Sequence, residues 1–301
     1  MLKGAPVEMI PASFDYVRPA DLEETLQILA DREGDAKLLA GGFSLIPLLK
    51  LRLAQPSLLV DLRDVPGLDD ISREGDEIRI GARVTHRRLR EHPELRLLLP
   101  IIRDAAAGIA DPQIRNWGTI GGSCAHADPS ADWPAVVIAL HGSFVCRSLA
   151  GERVVPARDF FLDTFSTAIS PTEVLTEVRI PVPGEGTGSA YAKLERRAGD
   201  FATVGCGAQV RLGSDGRIQA AGIGLTAVAE TPFAATSAEA VLVGAQPSDA
   251  VLQEAGAAAA AQSRPAADTH GPVDYKLAMV REMTARALRA AVARASAAKE
   301  S

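Results

Sequence analysis

The chain has 301 residues, 47% of them hydrophobic and 23% charged, with a formal net charge of −6. That length suits about two domains with cores of their own, and the interspersed acidic and basic residues leave no basic stripe for nucleic acid or an anionic membrane surface. The opening "MLKGAPVEMIPASF" has no apolar run of signal-peptide type, and no segment approaches the roughly 18–20 apolar residues that span a bilayer. A cytoplasmic protein without stable membrane insertion is expected.

Asp21 followed by Glu24 opens a helix in the manner of a capping box, Leu22, Leu26 and Leu29 recur at helical spacing, and Gly34 stops it. "KLLA", residues 37–40, then reads as a short strand ending at Gly41 and Gly42, with Phe43 and Ser44 directly after. A Gly-Gly break has no use inside a buried strand or helix, because glycine costs order in either. "SLLVDL" and "EIRIGA" read as further strands, Thr85-His86 as a helix start, and "LRLLLPIIRDAAAGIA" and "DWPAVVIALHG" as helices.

Between those helices lies "RNWGTIGGSCAHADPSAD", in which Thr119 and Ile120 precede a second Gly-Gly-Ser, Gly121 to Ser123. One Gly-Gly alone reads as a plain turn. Two such turns with adjacent hydroxyls are better explained by a shared anionic ligand: backbone N–H groups without a Cβ in the way approach phosphate oxygens, and Ser44, Thr119 and Ser123 add hydroxyl donors. Neither segment is a Walker A loop or a G-x-G-x-x-G fingerprint, so phosphoanhydride hydrolysis on a P-loop and a Rossmann dinucleotide site find little support.

Past "VRIPVPGEGTGS" the texture changes, and Pro181 to Ser189 is taken as a domain boundary. "SAYAKLERR", "ATVGCGAQVRL" and "RIQAAGIGLTAVA" read as successive strands, the last two joined by the turn "GSDG". Two or three Ala-rich helices follow, the clearest being "VDYKLAMVREMTARALRAAVAR". Cys124, Cys146 and Cys206 lie far apart without C-x-x-C pairing, which supplies neither a zinc site, nor an iron–sulfur cluster, nor a disulfide framework.

"KLLAGGFSLIPLLKLRLAQP", "IRNWGTIGGSCAHADPSAD" and "YAKLERRAGDFATVG" occur in the order and spacing found in the FAD-binding medium subunits of molybdenum hydroxylases, the aerobic carbon monoxide dehydrogenase and xanthine dehydrogenase family, which this chain resembles from about Ile10 to the closing "DYKLAMVREMTARAL". The resemblance implies an α+β protein. A PCMH-type FAD-binding domain of two α/β subdomains, about 1–57 and 58–180, is followed by a C-terminal domain of antiparallel sheet plus helices, 186–297. It implies non-covalent FAD clasped by Lys37, Leu38, Leu39, Ala40, Gly41, Gly42, Phe43 and Ser44 and by Thr119, Ile120, Gly121, Gly122 and Ser123.

Further positions carry over singly. Asp132 matches a carboxylate that accepts hydrogen bonds from the ribose and ribityl side of the cofactor, against the alternative of a helix N-cap. Lys193 matches a lysine beside the flavin pyrimidine ring, where a cation stabilises the charge that builds on reduction; the alternative is a solvated strand lysine. Phe201 stands where relatives place an aromatic near the isoalloxazine, and Leu175 resembles an apolar wall of the flavin pocket, core packing being the alternative for both. Two positions depart from the family: Phe43 replaces a usual Gln or His, and Ser123 a common Asn. His86 and His126 tempt as bases, yet electron transfer needs none, so no catalytic and no metal-ligating residue is assigned.

The expected function is that of an electron-transferring flavoprotein subunit. Electrons released at a molybdenum cofactor on a large partner subunit reach the flavin through [2Fe–2S] clusters on a small partner and leave to an external acceptor, in a dimer of heterotrimers. The alternatives are a self-sufficient flavin oxidoreductase and a non-redox assembly scaffold.

Overall fold

A computed structural model describes residues 9–32 and 34–300. Residues 1–8, counted in the first subdomain above, lie outside the described residues.

Three parallel strands, β1 (Asp15–Val17), β2 (Ala36–Leu39) and β3 (Leu58–Asp61), form a small sheet in the order β1-β3-β2. Helix α1 (Leu22–Asp31) connects the first two, and α2 (Leu45–Lys50) the second and third. Asp21 caps α1 by accepting from the Glu24 amide at 2.8 Å, and Glu24 reaches back to the Ala20 amide at 2.7 Å, two orphan donors satisfied reciprocally. Leu26 and Leu29 bury against Leu58 and Val60. The strand "SLLVDL" therefore belongs to the first sheet, at its centre, and a subdomain division at 57/58 is corrected: it would cut β3 from both of its partners.

The second unit is an antiparallel sheet with helices on one face. Strands β4 (Ile71–Glu74) and β5 (Glu77–Gly81) lead into helices α3 (His86–Glu91), α4 (Pro93–Leu98), α5 (Pro100–Gly108), α6 (Pro112–Trp117), α7 (Ile120–His126) and α8 (Asp132–Ala139). Strands β6 (Ser143–Ser148) and β7 (Gly151–Pro156), the small pair β8 (Phe161–Asp163) and β9 (Ser166–Thr167), and β10 (Val174–Pro181) complete it, with sheet order β4-β5-β10-β6-β7. The single helix expected over "LRLLLPIIRDAAAGIA" is two, α4 and α5. Pro100 excludes the α conformation from the residue before it, and Leu99 sits at φ −131°, ψ 66°.

After β10 the chain enters a four-stranded antiparallel sheet of β11 (Thr187–Leu194), β12 (Val204–Leu212), β13 (Ile218–Thr226) and β14 (Phe233–Ala234). Helices α9 (Thr236–Leu242), α10 (Asp249–Gln262) and α11 (Val273–Glu300) follow, and a core of Val204, Val210, Ile223, Leu252 and Leu288 fills the space between.

The second and third units meet through α8, which is buried along its whole length and apolar on every face after Asp132, its first residue. It lies on β12 and β13 because Gly222 and Gly224 leave room for it: a Cβ at either would overlap the carbonyl oxygen of Ala139 or Ala135. Polar contacts pin the same seam. Asp104 of α5 accepts from Arg294 of α11 at 2.5 Å and from the Tyr191 amide at 3.3 Å, and Arg158 forks onto Glu239 of α9 at 2.6 and 3.0 Å.

Candidate functional site: the loop after β2 and the seam beside α8

Both Gly-Gly segments come together, by different means. The first follows β2 at the carboxyl end of a parallel sheet, where open α/β sheets place their ligands. Gly42 adopts φ +80°, a conformation a side chain strains. Among the described residues, no acceptor is found for the backbone N–H groups of Gly41, Gly42, Phe43 or Ser44, although two of the segment's carbonyls are used: Gly42 and Ser44 accept from Ile46 and Leu48 at 2.9 and 3.3 Å. Four free amides in one tight loop form a cradle for an anion.

The second segment, expected as a turn, is the start of α7. Thr119 is its N-cap and accepts from the Gly122 amide at 3.1 Å. The Ile120, Gly121 and Ser123 amides donate to Val84, Ala82 and Thr119 carbonyls at 3.1, 2.9 and 3.0 Å. Gly121 is small because of packing: a Cβ there would overlap the Ala82 side chain and stand 2.6 Å from the Ala82 oxygen. What this segment turns toward the first loop is the bare face of exposed Gly122, 3.9 Å from the Ala40 Cβ once a Cβ is built on it.

Gly41 joins the two segments. A Cβ on Gly41 would overlap the Trp117 carbonyl oxygen and stand 2.9 Å from the Gly118 Cα, so glycine at this position lets the loop lie directly on the approach to α7. Gly118 in turn backs onto His86, whose Nε2 would be 2.6 Å from a Cβ at 118. His86 is 5% exposed, and its Nδ1 accepts from Trp133 Nε1 at 2.9 Å. Burial, and secondarily the positive field of Arg115, hold the imidazole down to about 4, neutral and structural rather than basic. Thr85 caps α3 as expected.

Trp133 and Asp132 open α8. Asp132 is its first residue and Ala131 its N-cap, so the capping alternative for Asp132 does not hold. The carboxylate, 6% exposed, reaches across the seam instead: Oδ1 accepts from the Tyr191 hydroxyl at 2.6 Å and Oδ2 from Lys193 Nζ at 3.2 Å. Burial pushes Asp132 up, while Lys193 and the Tyr191 hydrogen bond pull it back. Lys193 also donates to the Gly108 carbonyl at 2.9 Å and lies 3.3 Å from Glu195 Oε2, so it is a buried, paired cation and not a solvated strand lysine.

The remaining expected residues scatter around this centre. Phe43 and Phe201 are 44% and 58% exposed, apolar surfaces without core partners. Leu175, 6% exposed beside a bulge in β10, packs in the core of the second unit. Lys37 points to solvent, Leu38 packs under α1, and Leu39 lies beside the turn, where its Cδ1 would be 3.2 Å from a Cβ at Gly42. His126 stacks against Phe165, 5.0 Å between ring centres. Cys124 is wholly buried and its thiol is pushed up by burial, which keeps it protonated and inert. Sequence reasoning missed Tyr191, Glu195 and Gly118. Only Tyr191 carried a signal, its place two residues before Lys193 on the same strand face.

Among the described residues no group of three or more His, Cys, Asp or Glu is placed to hold a metal, and no helix is long and apolar enough to cross a membrane. The free amides and the glycine-only approach of Gly41 to Trp117 fit an anion such as a diphosphate, and the buried Lys193 ammonium supplies positive charge in the seam beside α8.

Comparison with known proteins agrees with that chemistry. Residues 12–183 match the family described as FAD binding domain in molybdopterin dehydrogenase, and residues 189–291 that described as CO dehydrogenase flavoprotein C-terminal domain. The chain is 45% identical over 287 residues to the carbon monoxide dehydrogenase medium chain of Afipia carboxidovorans, covering 95% of this chain and 99% of that one. Its fold superposes with TM-score 0.92 on a chain of carbon monoxide dehydrogenase from Hydrogenophaga pseudoflava, at 45% identity with 95% and 99% of the chains covered. It superposes with TM-score 0.88 on a chain of quinoline 2-oxidoreductase from Pseudomonas putida, at 37% identity with 96% and 99% covered.

Proposed function

This chain belongs to the family of FAD-binding medium subunits of molybdenum hydroxylases, and from that premise we propose that it takes electrons from a small [2Fe–2S] partner subunit and releases them to an external acceptor. A large subunit carrying the molybdenum cofactor would oxidise the substrate, and two such heterotrimers would pair. The observation that carries this reading is the set of four amides at Gly41 to Ser44 that find no acceptor among the described residues, in a loop laid against Trp117 and Gly118.

FAD, when bound, supplies the electron-accepting and electron-releasing chemistry. The Gly41 to Ser44 amides and the Thr119 and Ser123 hydroxyls offer donors to the diphosphate. The Lys193 ammonium would supply positive charge to the ring, and the exposed Phe43 and Phe201 would supply apolar cover. Three buried thiols, all free, suit a reducing compartment, and we place the protein in the cytoplasm.

The test is the cofactor content and reactivity of the purified chain. We expect flavin released by acid, no iron, dye reduction with a chemical reductant, and substrate oxidation only after both partners are added. Stoichiometric iron or turnover without partners would establish a self-sufficient oxidoreductase; a colourless chain would establish a scaffold.

A further inference from the structure

We propose that Tyr191 is a positioning residue of the flavin site: its hydroxyl holds the Asp132 carboxylate as the anion that aims the Lys193 ammonium along the seam between the second and third units. This deepens the flavin-subunit reading and rests on it.

Tyr191 and Lys193 alternate along β11 and therefore project from the same face. The two side chains divide one carboxylate between them, Oδ1 to the phenol at 2.6 Å and Oδ2 to the ammonium at 3.2 Å. That fork fixes the rotation of the Asp132 carboxyl about its last bond. The phenol has a place built for it: Gly205, across from Lys193 on β12, is glycine where any Cβ would overlap the Tyr191 hydroxyl and stand 2.6 Å from Thr226. With Gly108 O accepting at 2.9 Å from α5, the ammonium, carried by the third unit, is held by two helices of the second, α5 and α8.

A carboxyl in such surroundings stays ionised only while strong donors face it. The titratable groups that face Asp132 are Tyr191, Lys193 and Glu195, and the Glu195 charge works against ionisation. Removing the phenol hydrogen bond takes away one of the two donors that pull the Asp132 carboxyl back down against burial, and so moves it toward the protonated form. Lys193 then loses its closest counter-charge, and the seam becomes more positive by up to one unit. Reduction of a flavin adds negative charge, so a more positive seam raises its midpoint potential.

The experiment measures that potential against pH in the FAD-loaded full chain, alongside FAD affinity. Tyr191→Phe, which keeps the ring and loses only the hydroxyl, and Asp132→Asn are each expected to shift the potential upward at neutral pH. The double variant should go no further than either single one, because both act through one carboxylate. The difference between Tyr191→Phe and the parent should vanish in acid, where Asp132 is protonated in both. Lys193→Met should shift the potential downward. A Tyr191→Phe potential equal to the parent's at every pH, with Asp132→Asn and Lys193→Met still moving it, overturns the role of Tyr191 and leaves the flavin reading standing. Unchanged potential and unchanged FAD affinity in Lys193→Met would overturn the flavin placement and this proposal with it.

Discussion

Gly41-Gly42 and Gly121-Gly122 are nearly the same words in the sequence, each with a serine close behind, and they do different physical work. In the first, Gly42 at φ +80° bends the chain, and among the described residues no acceptor is found for the Gly41 to Ser44 amides, the donor surface we propose for the diphosphate. In the second, every amide from Ile120 to Ser123 already has a protein acceptor, and the glycines serve as spacers, Gly121 against Ala82 and Gly122 beneath the first loop. A Gly-Gly signature thus identifies where backbone comes close to something. Whether that something is a ligand or another strand is decided by the hydrogen-bond ledger of the fold.

Substitutions should separate the two roles. The largest effect is expected at Gly121: Gly121→Val drives a branched side chain into Ala82 at the end of β5, and overpacking of that kind costs about 3 kcal/mol. Chemical denaturation should show that loss with or without added FAD, because the glycine is a packing spacer. Only if the stability of Gly121→Val equalled the parent's while its flavin was lost would the second segment resemble the first.

Acid should reach the second segment through His86, which backs Gly118. Its folded-state value is depressed to about 4 from an ordinary 6.5, so the unfolded chain binds the extra proton first as pH falls. Stability from this group is complete above about pH 6.5 and drains away toward pH 4, by about 3 kcal/mol. A His86→Gln variant should lose that slope in a stability-against-pH series, whatever its stability at neutral pH.

Much of this was legible in the residues. Alternating apolar runs and turn residues located the strands and helices, and the capping pair Asp21 and Glu24 marked the start of α1. The three long motifs carried the family resemblance that the comparisons bear out. Three things were not legible. Local pattern says nothing of which sheet a strand joins, so β3 was set on the wrong side of a division. A single apolar period runs through Leu99, and only the backbone restriction imposed by Pro100 breaks it. The partner of Asp132 is Tyr191, distant in the chain, and a carboxylate's choice between a cofactor hydroxyl and a protein phenol depends on a seam that exists only once α8 lies on the third unit.

Whether free amides of the first loop hold the flavin diphosphate is read most directly from the FAD dissociation constant of Gly42→Ala beside that of Gly122→Ala. At Gly42 the added Cβ meets a positive φ, which costs about 1–2 kcal/mol and reorients the cradle, so affinity should fall about tenfold or more. At Gly122 the backbone is helical and the nearest neighbour is the Thr119 hydroxyl at 2.7 Å, so a smaller loss is expected. An unchanged dissociation constant in Gly42→Ala, with the variant folded, would contradict the account.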